Sequence, residues 1–88
     1  MSPERKIEAH LVKLAKKHGW FCRKVKWIGR NGCPDRLLIS PIGEVYWVEV
    51  KAPGKLPTKL QAAEHYSLRW YGQTVSVIDS LEGVEALW

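Results

Sequence analysis

The sequence lacks any apolar stretch that approaches the length of a membrane-spanning helix, and its first residues do not form a signal-peptide pattern. It also has no internal repeat and no low-complexity segment. Cysteine is scarce: the spacing of Cys22 and Cys33 does not match a metal site, and a disulfide framework would need more cysteines. We therefore expect a cytoplasmic protein with reduced thiols that does not enter a membrane.

The composition is that of a small globular protein. A chain of 88 residues predicts one domain spanning residues 1–88, and a hydrophobic content of 45% is ample for a globular core and argues against disorder. The five tryptophans are expected mostly in or beside the core, although tryptophan is also enriched at protein interfaces. The net charge of +5 favours an anionic partner, with nucleic acid first.

The N-terminal segment predicts a helix. Ser2 and Pro3 suit the N-cap and the first helical position, and Gly19 suits the C-terminal end. Glu8 lies at the edge of the apolar stripe and points partly inward. It is either a solvated flanking residue or a carboxylate that reaches a functional site from this helix.

Residues 32–51 are the stretch around which the rest is organised. They predict two strands, 36–40 and 44–50, joined by a three-residue loop in which Pro41 opens a type I turn and Gly43 takes the left-handed position. This loop places Asp35 opposite Glu49. Paired residues, and residues two apart in one strand, project to the same face, so Asp35, Glu49 and Lys51 should share a face. A two-residue turn would send Glu49 to the other side.

The flanking segments complete an α/β prediction. Residues 20–27 suggest a strand with interleaved basic residues, and Thr58 with Gln61 forms a capping-box pattern that begins a second helix over 59–71. Residues 74–78 alternate as a strand, and a short helix follows. The related faces of the second helix hold Leu60, Ala63, Glu64, Ser67, Leu68 and Tyr71. The expected order is αβββαβ plus a C-terminal helix, in a small mixed sheet flanked by helices whose third and fourth strands are parallel.

Two opposed carboxylates form an oxygen-rich pocket that suits Mg²⁺, which is held in proteins by one or two carboxylates, waters and substrate phosphate oxygens. We predict Asp35, Glu49 and the backbone carbonyl of Val50 as metal ligands. A metal there would polarise a phosphate and lower the pKa of a bound water, while Lys51 orients that water or neutralises developing charge. The predicted phosphate contacts, without base readout, are Lys24, Lys26, Arg30, Lys55 and Lys59. Arg30 could equally be an ordinary solvated arginine.

These residues resemble a known family. Pro34-Asp35 followed by Glu49-Val50-Lys51 resembles the PD-(D/E)xK nuclease motif. Gly32-Cys33-Pro34-Asp35, Trp47 to Lys51 and Gln61 together are similar to the VRR-NUC (virus-type replication-repair nuclease) domain, and the Gly-x-Pro-Asp form is shared with archaeal-type junction resolvases.

The resemblance implies a restriction-endonuclease-like fold that binds Mg²⁺, with Mn²⁺ as substitute, and a homodimer that cuts branched DNA such as four-way (Holliday) junctions. It adds Glu8, acting through water, and Gln61 to the catalytic residues Asp35, Glu49 and Lys51. It also implies the cytoplasm of a bacterium or a phage-infected host cell. The alternatives are a general nicking nuclease or exonuclease of the same fold, and a non-catalytic DNA-binding relative.

Overall fold

A computed structural model describes residues 1–88 as three helices and four strands. In chain order these are α1 (Pro3–Lys17), β1 (Phe21–Lys24), β2 (Arg36–Ile39), β3 (Val45–Val50), α2 (Lys59–Trp70), β4 (Thr74–Ile78) and α3 (Leu81–Glu85). The sheet order is β1-β2-β3-β4, with β1–β2 and β2–β3 antiparallel and β3–β4 parallel. The predicted element order and mixed sheet are confirmed. None of the helices is long and apolar enough to cross a bilayer.

The helix ends follow the predicted capping chemistry. The Ser2 hydroxyl accepts a hydrogen bond from the Arg5 backbone N–H at 3.2 Å, and Thr58 and Gln61 form a complete capping box at the start of α2. The N-terminus of each helix is held by a side chain, of Ser2, Thr58 or Ser80, that satisfies a backbone donor left free in the first turn. The contact of Gln61 with Glu49 places the start of α2 close to the end of β3.

The hydrophobic core lies between the sheet and α1. Strand residues that share one face pack against the inward side of α1 and against α3, in a cluster of Leu38, Val48, Val50, Ile78, Ile7, Leu11, Ala15 and Val84. Since neighbouring residues of a strand point to opposite faces, Glu49 projects away from this core, toward α2. The two main helices therefore cover opposite faces of the sheet.

The side of α2 that faces the sheet is formed by residues that differ in part from those that the sequence placed on related faces of this helix. Leu60 and Tyr71 are exposed, whereas Gln61, His65 and Leu68 turn toward the sheet. The physical reason is that the sheet presents the Glu49 carboxylate at this place, and a buried carboxylate needs hydrogen-bond partners rather than apolar side chains.

The first strand is shorter than predicted. It ends at Lys24, and a last hydrogen bond from the Val25 N–H to the Asp35 carbonyl oxygen (3.1 Å) precedes a loop that takes Trp27 onto Trp47. Four of the five tryptophans are half-buried, in agreement with a packing role, and Trp70 is exposed. Both cysteines are free thiols.

Candidate active site

The turn between β2 and β3 sets the register of the candidate site. Gly43 adopts φ 86°, its N–H donates to the Ser40 carbonyl at 2.9 Å, and the Ser40 N–H donates to the Glu44 carbonyl at 2.8 Å. The ladder then pairs Arg36 with Val48. One step beyond that pair, Asp35 lies opposite Glu49, so the register predicted from the sequence is confirmed.

Asp35 is held at the end of this ladder by the neighbouring strand. Its Oδ2 accepts a hydrogen bond of 2.7 Å from the backbone N–H of Val50. The bond is short because the acceptor is a carboxylate. It fixes the Asp35 side chain beside Glu49 rather than letting it extend into solvent.

Glu49 is buried, with 1% of its surface exposed. Its Oε1 lies 3.2 Å from His65 Nε2, and its Oε2 lies 3.4 Å from Gln61 Nε2. Burial, followed by a hydrogen bond with Asp35 and the negative charge of Asp35, raises the pKa of Glu49 from 4.5 to about 8, although the positive charge of Lys51 opposes the rise. Two acids this close without a cation therefore favour a proton on Glu49 at neutral pH.

Gln61 has two partners, one for each end of its amide. Oε1 accepts from the Thr58 N–H at 2.9 Å, and Nε2 reaches Glu49. The capping role and contact with the acid pair coexist in one side chain. The structure thus brings Asp35, Glu49 and Gln61 together, while the catalytic role of Gln61 stays a prediction.

His65 is a member of the site that the sequence reasoning missed. It is 2% exposed, and burial, followed by the positive charges of Arg69 and Lys51, lowers its pKa. A neutral imidazole can accept at Nε2 from the protonated Glu49 carboxyl, or donate from Nε2 once that carboxyl is ionised. A signal was present in the sequence, because His65 lies four residues after Gln61 and so on the same side of α2.

Lys51 lies at the same end of β3. Its N–H donates to the Ile78 carbonyl at 2.9 Å, which fixes its backbone, and its side chain is half-buried. Its positive charge lowers the pKa values of both Glu49 and His65. The ammonium group forms no ion pair within the chain. It is therefore available to an anionic substrate.

Glu8 is not among the contacts of Asp35 and Glu49. Its Oε2 accepts from Arg36 Nε at 2.9 Å and lies 3.4 Å from Lys24 Nζ. Arg36 projects to the α1 side of the sheet, opposite to Glu49. Glu4, one turn earlier in α1, instead contributes to raising the pKa of Glu49 through its negative charge. The site role of Glu8 stays a prediction, and Glu4 is a second first-helix acid to consider.

A cleft of about 410 Å³ opens beside Asp35 and is lined by Lys24, Lys26, Arg30 and the loop backbone between them. Three of the predicted phosphate contacts therefore share one cavity with an acid of the site. Arg30 is neither free nor simply solvated, because it forms two hydrogen bonds to Glu64 at 2.9 and 3.1 Å. Lys55 and Lys59 are exposed in and after the loop that follows Lys51.

The donor set fits a hard divalent cation. No cluster of three or more acidic, histidine or cysteine side chains with metal-ligand spacing occurs in the structure. Magnesium does not need one, since it usually keeps several waters and uses one or two carboxylates with substrate oxygens. The pKa of Glu49 is raised because the ionised carboxylate is unfavourable in a buried place beside Asp35. A bound cation would offset this unfavourable negative charge.

Comparisons with known proteins agree with this geometry. The chain is 46% identical over 77 residues to "Putative nuclease p44" of Acyrthosiphon pisum secondary endosymbiont phage 1, a match that covers 88% of this chain and 83% of that protein. A solved structure described as a VRR_NUC domain superposes with a TM-score of 0.94 at 32% identity, over 99% of this chain and 95% of the other. No family model matches the chain. The length and identity of these two matches establish that this chain belongs to the VRR_NUC family of nucleases and has its restriction-endonuclease-like fold.

Proposed function

We propose that this nuclease is a Mg²⁺-dependent DNA endonuclease that acts on branched DNA, such as four-way junctions, as a homodimer. The observation that carries the proposal is the pairing of Asp35 with the buried Glu49, whose pKa is raised to about 8. A carboxylate kept protonated by burial and by its acidic neighbour gains most from a cation that neutralises both acids. Lys51 beside this pair supplies the positive charge that a phosphodiester needs.

The proposed metal ligands are the side chains of Asp35 and Glu49 and the backbone carbonyl of Val50. Mg²⁺, or Mn²⁺ in its place, would polarise the phosphate and lower the pKa of a water at this position. The hydrogen bond from the Val50 N–H holds Asp35 in place, and His65 and Gln61 hold Glu49. Such supporting hydrogen bonds orient metal ligands and restrict their rotation.

Lys51 is proposed to contact the scissile phosphate. Because its ammonium has no acidic partner in the chain, it stabilises the charge that develops on the phosphate oxygens. Lys24, Lys26, Lys55 and Lys59 then hold the flanking backbone through phosphate contacts that do not depend on sequence. The Arg30 and Lys24 contacts are weaker in this scheme than those of the other lysines, since Arg30 is already paired with Glu64 and Lys24 with Glu8.

A panel of four-way junction, flap, single-stranded and duplex DNA, each with Mg²⁺ or EDTA, tests the substrate preference. The proposal expects cleavage in Mg²⁺ alone, with the junction cut fastest. Equal cutting of all substrates favours a general nicking nuclease, and release of mononucleotides from ends favours an exonuclease. Binding without cleavage in Mg²⁺ and in Mn²⁺ identifies a non-catalytic DNA-binding relative.

The first-helix acid is tested by comparing Glu4→Gln with Glu8→Gln. Glu8 is held by Arg36 and Lys24, whereas Glu4 is exposed and its charge acts on Glu49. We therefore expect Glu4→Gln to lower the single-turnover cleavage rate by roughly tenfold, within the range for a supporting group at a metal site, and to lower it more than Glu8→Gln does. The reverse order would support Glu8 as the acid that reaches the metal through water.

The proposed dimer surface is the outer face of α2. It carries the exposed side chains of Leu60, Tyr66, Trp70 and Tyr71. The lysine-rich surface of the chain repels a second copy, and a face of apolar and aromatic side chains is where such copies can meet. A two-fold dimer would bring two sites to a symmetric junction. The proposed location is the cytoplasm of a bacterium or phage-infected host.

Trp70→Glu is expected to convert a dimer into a monomer, because it places a charge in the middle of this face. Sedimentation equilibrium measures the mass directly. Ile42→Glu, at an exposed turn away from α2, is the matched control and should leave the dimer intact. A monomeric wild-type chain, or a Trp70→Glu variant that dimerises as well as the wild type, would contradict this surface.

A further inference from the structure

The loop between β1 and β2, residues 25–35, is held rigidly against the rest of the molecule at three points. Trp27 packs on Trp47 with ring centroids 5.7 Å apart, and Arg30 makes its two hydrogen bonds to Glu64 of α2. Gly32 has φ +95°, and a Cβ added there would lie 2.6 Å from the Leu60 carbonyl oxygen. The loop thus sits on α2 so closely that only glycine fits at this position.

Ile28 stands at the tip of this anchored loop with its whole side chain exposed, at 100%. It lies between the half-buried Trp27 and Gly29, which has φ 74°. A β-branched side chain has few rotamers to lose on binding, and the loop beneath it is already fixed. The usual entropic cost of ordering a loop at an interface is therefore largely absent here.

The basic residues near Ile28 indicate which kind of partner this loop would bind. The loop lines the cleft that also contains Asp35, and Lys24 and Lys26 line the same cleft. A backbone phosphate in this cleft would lie next to the candidate site and bring its bases toward the loop. A protein or membrane partner would not explain why the loop that carries this apolar tip, with Trp27 directly before it, lines a cleft that contains an acid of the candidate site.

We propose that the β1–β2 loop is a DNA wedge: Ile28 inserts against an unstacked base beside the scissile phosphate and so selects DNA with an interrupted base stack. Apolar wedges of this type, isoleucine among them, partly unstack a base step, and the unstacking costs free energy. The cost is least where bases are already unpaired or at a branch point. This inference rests on the proposed function and gives the preference for branched DNA a structural cause.

Ile42 provides a matched control. It is also a largely exposed isoleucine at a turn, 83% exposed, but it lies at the far end of the β2–β3 hairpin and its neighbours in sequence include no basic residue. Single exposed apolar residues are common on protein surfaces, and Ile42 is expected to be one of them. If Ile28→Ala and Ile42→Ala affect DNA binding or cleavage differently, the difference comes from the position of the isoleucine and not from the loss of an exposed apolar side chain.

The test uses a four-way junction and a continuous duplex that carry 2-aminopurine, which brightens on unstacking, at the branch point and at the equivalent duplex position. Binding is followed with Asp35→Asn protein in Mg²⁺, to avoid cleavage. We expect fluorescence to rise when the junction is saturated with Asp35→Asn or with Asp35→Asn/Ile42→Ala. With Asp35→Asn/Ile28→Ala the rise should fall at least twofold at saturation.

In the cleavage-competent background, Ile28→Ala should lower the junction-to-duplex ratio of kcat/KM by roughly tenfold, and Ile42→Ala should leave the ratio unchanged. The wedge is overturned if the fluorescence rise is the same with and without Ile28, or if Ile28→Ala slows junction and duplex equally. The fluorescence measurement requires binding and no cleavage, so it decides on Ile28 separately from whether the chain is a Mg²⁺-dependent nuclease.

Discussion

Replacement of Lys51 by alanine is expected to lower the single-turnover rate of Mg²⁺-dependent DNA cleavage by about 10²–10³, with little change in DNA affinity. The ammonium group has no acidic partner in the chain, and the hydrogen bond from the backbone N–H of Lys51 to Ile78 is kept when alanine replaces lysine. Removal of the lysine side chain should therefore not disturb the fold. The interaction that this variant would lose is the one proposed to stabilise charge on the phosphate in the transition state. Rapid-quench cleavage under saturating protein measures it.

Lys13→Ala is the matched control for Lys51→Ala, because Lys13 is an exposed lysine on α1 outside the cleft. It removes the same net charge and should leave the rate within about twofold. The increase in melting temperature that Mg²⁺ produces should persist in Lys51→Ala, which keeps both acids. Cleavage by Lys51→Ala at the wild-type rate would show that Lys51 is not part of the active site.

In EDTA, the melting temperature of the wild-type protein is expected to fall as the pH rises from 6.5 to 8.5. The pKa of Glu49 is raised from 4.5 to about 8 in the folded protein. A raised pKa means that the folded state holds a proton which the unfolded state has released, so this stabilisation is complete below pH 4.5 and is lost as the pH passes through 8. The loss across this window is about 1–2 kcal/mol, or on the order of 10 °C for a domain of this size.

Glu49→Gln is the control, because it keeps the shape of the side chain and removes the titration. Its melting temperature should be nearly flat over the same window. His65 does not interfere, since its lowered pKa affects stability only as the pH falls below the ordinary value of 6.5. In the proposed site Mg²⁺ would compete with the Glu49 proton, so any increase in melting temperature with Mg²⁺ is expected to grow with pH in the wild type and to vanish in Glu49→Gln. Identical pH profiles for both proteins would contradict the buried acid pair.

The register of the site was predictable because local turn chemistry and strand parity determine it. Gly43 permits the left-handed position of a three-residue turn, and parity then carries Asp35 to the position opposite Glu49. The turn lies at the far end of the hairpin from the acids that it brings together. The capping pair Thr58 and Gln61 was predictable for the same reason, because its signal is local.

The surroundings of Glu49 were harder to predict because they depend on tertiary packing. Apolar residues of α2 such as Leu60 and Tyr71 do not mark its buried side, because both are exposed. A buried carboxylate on the sheet draws the polar side of the helix inward, and that is why His65 was missed. The ion pair of Glu8 with Arg36 joins residues 28 positions apart, and nothing in the local sequence indicates it.

The most direct measurement is cleavage of a labelled four-way junction by wild-type and Asp35→Asn protein, each in Mg²⁺ and in EDTA. Asp35→Asn keeps the size of the side chain and removes one charge of the proposed metal site. We predict products only for the wild type in Mg²⁺, while both proteins bind the junction. Cleavage by Asp35→Asn at the wild-type rate, or cleavage by the wild type in EDTA, would contradict a metal-dependent site built on Asp35 and Glu49.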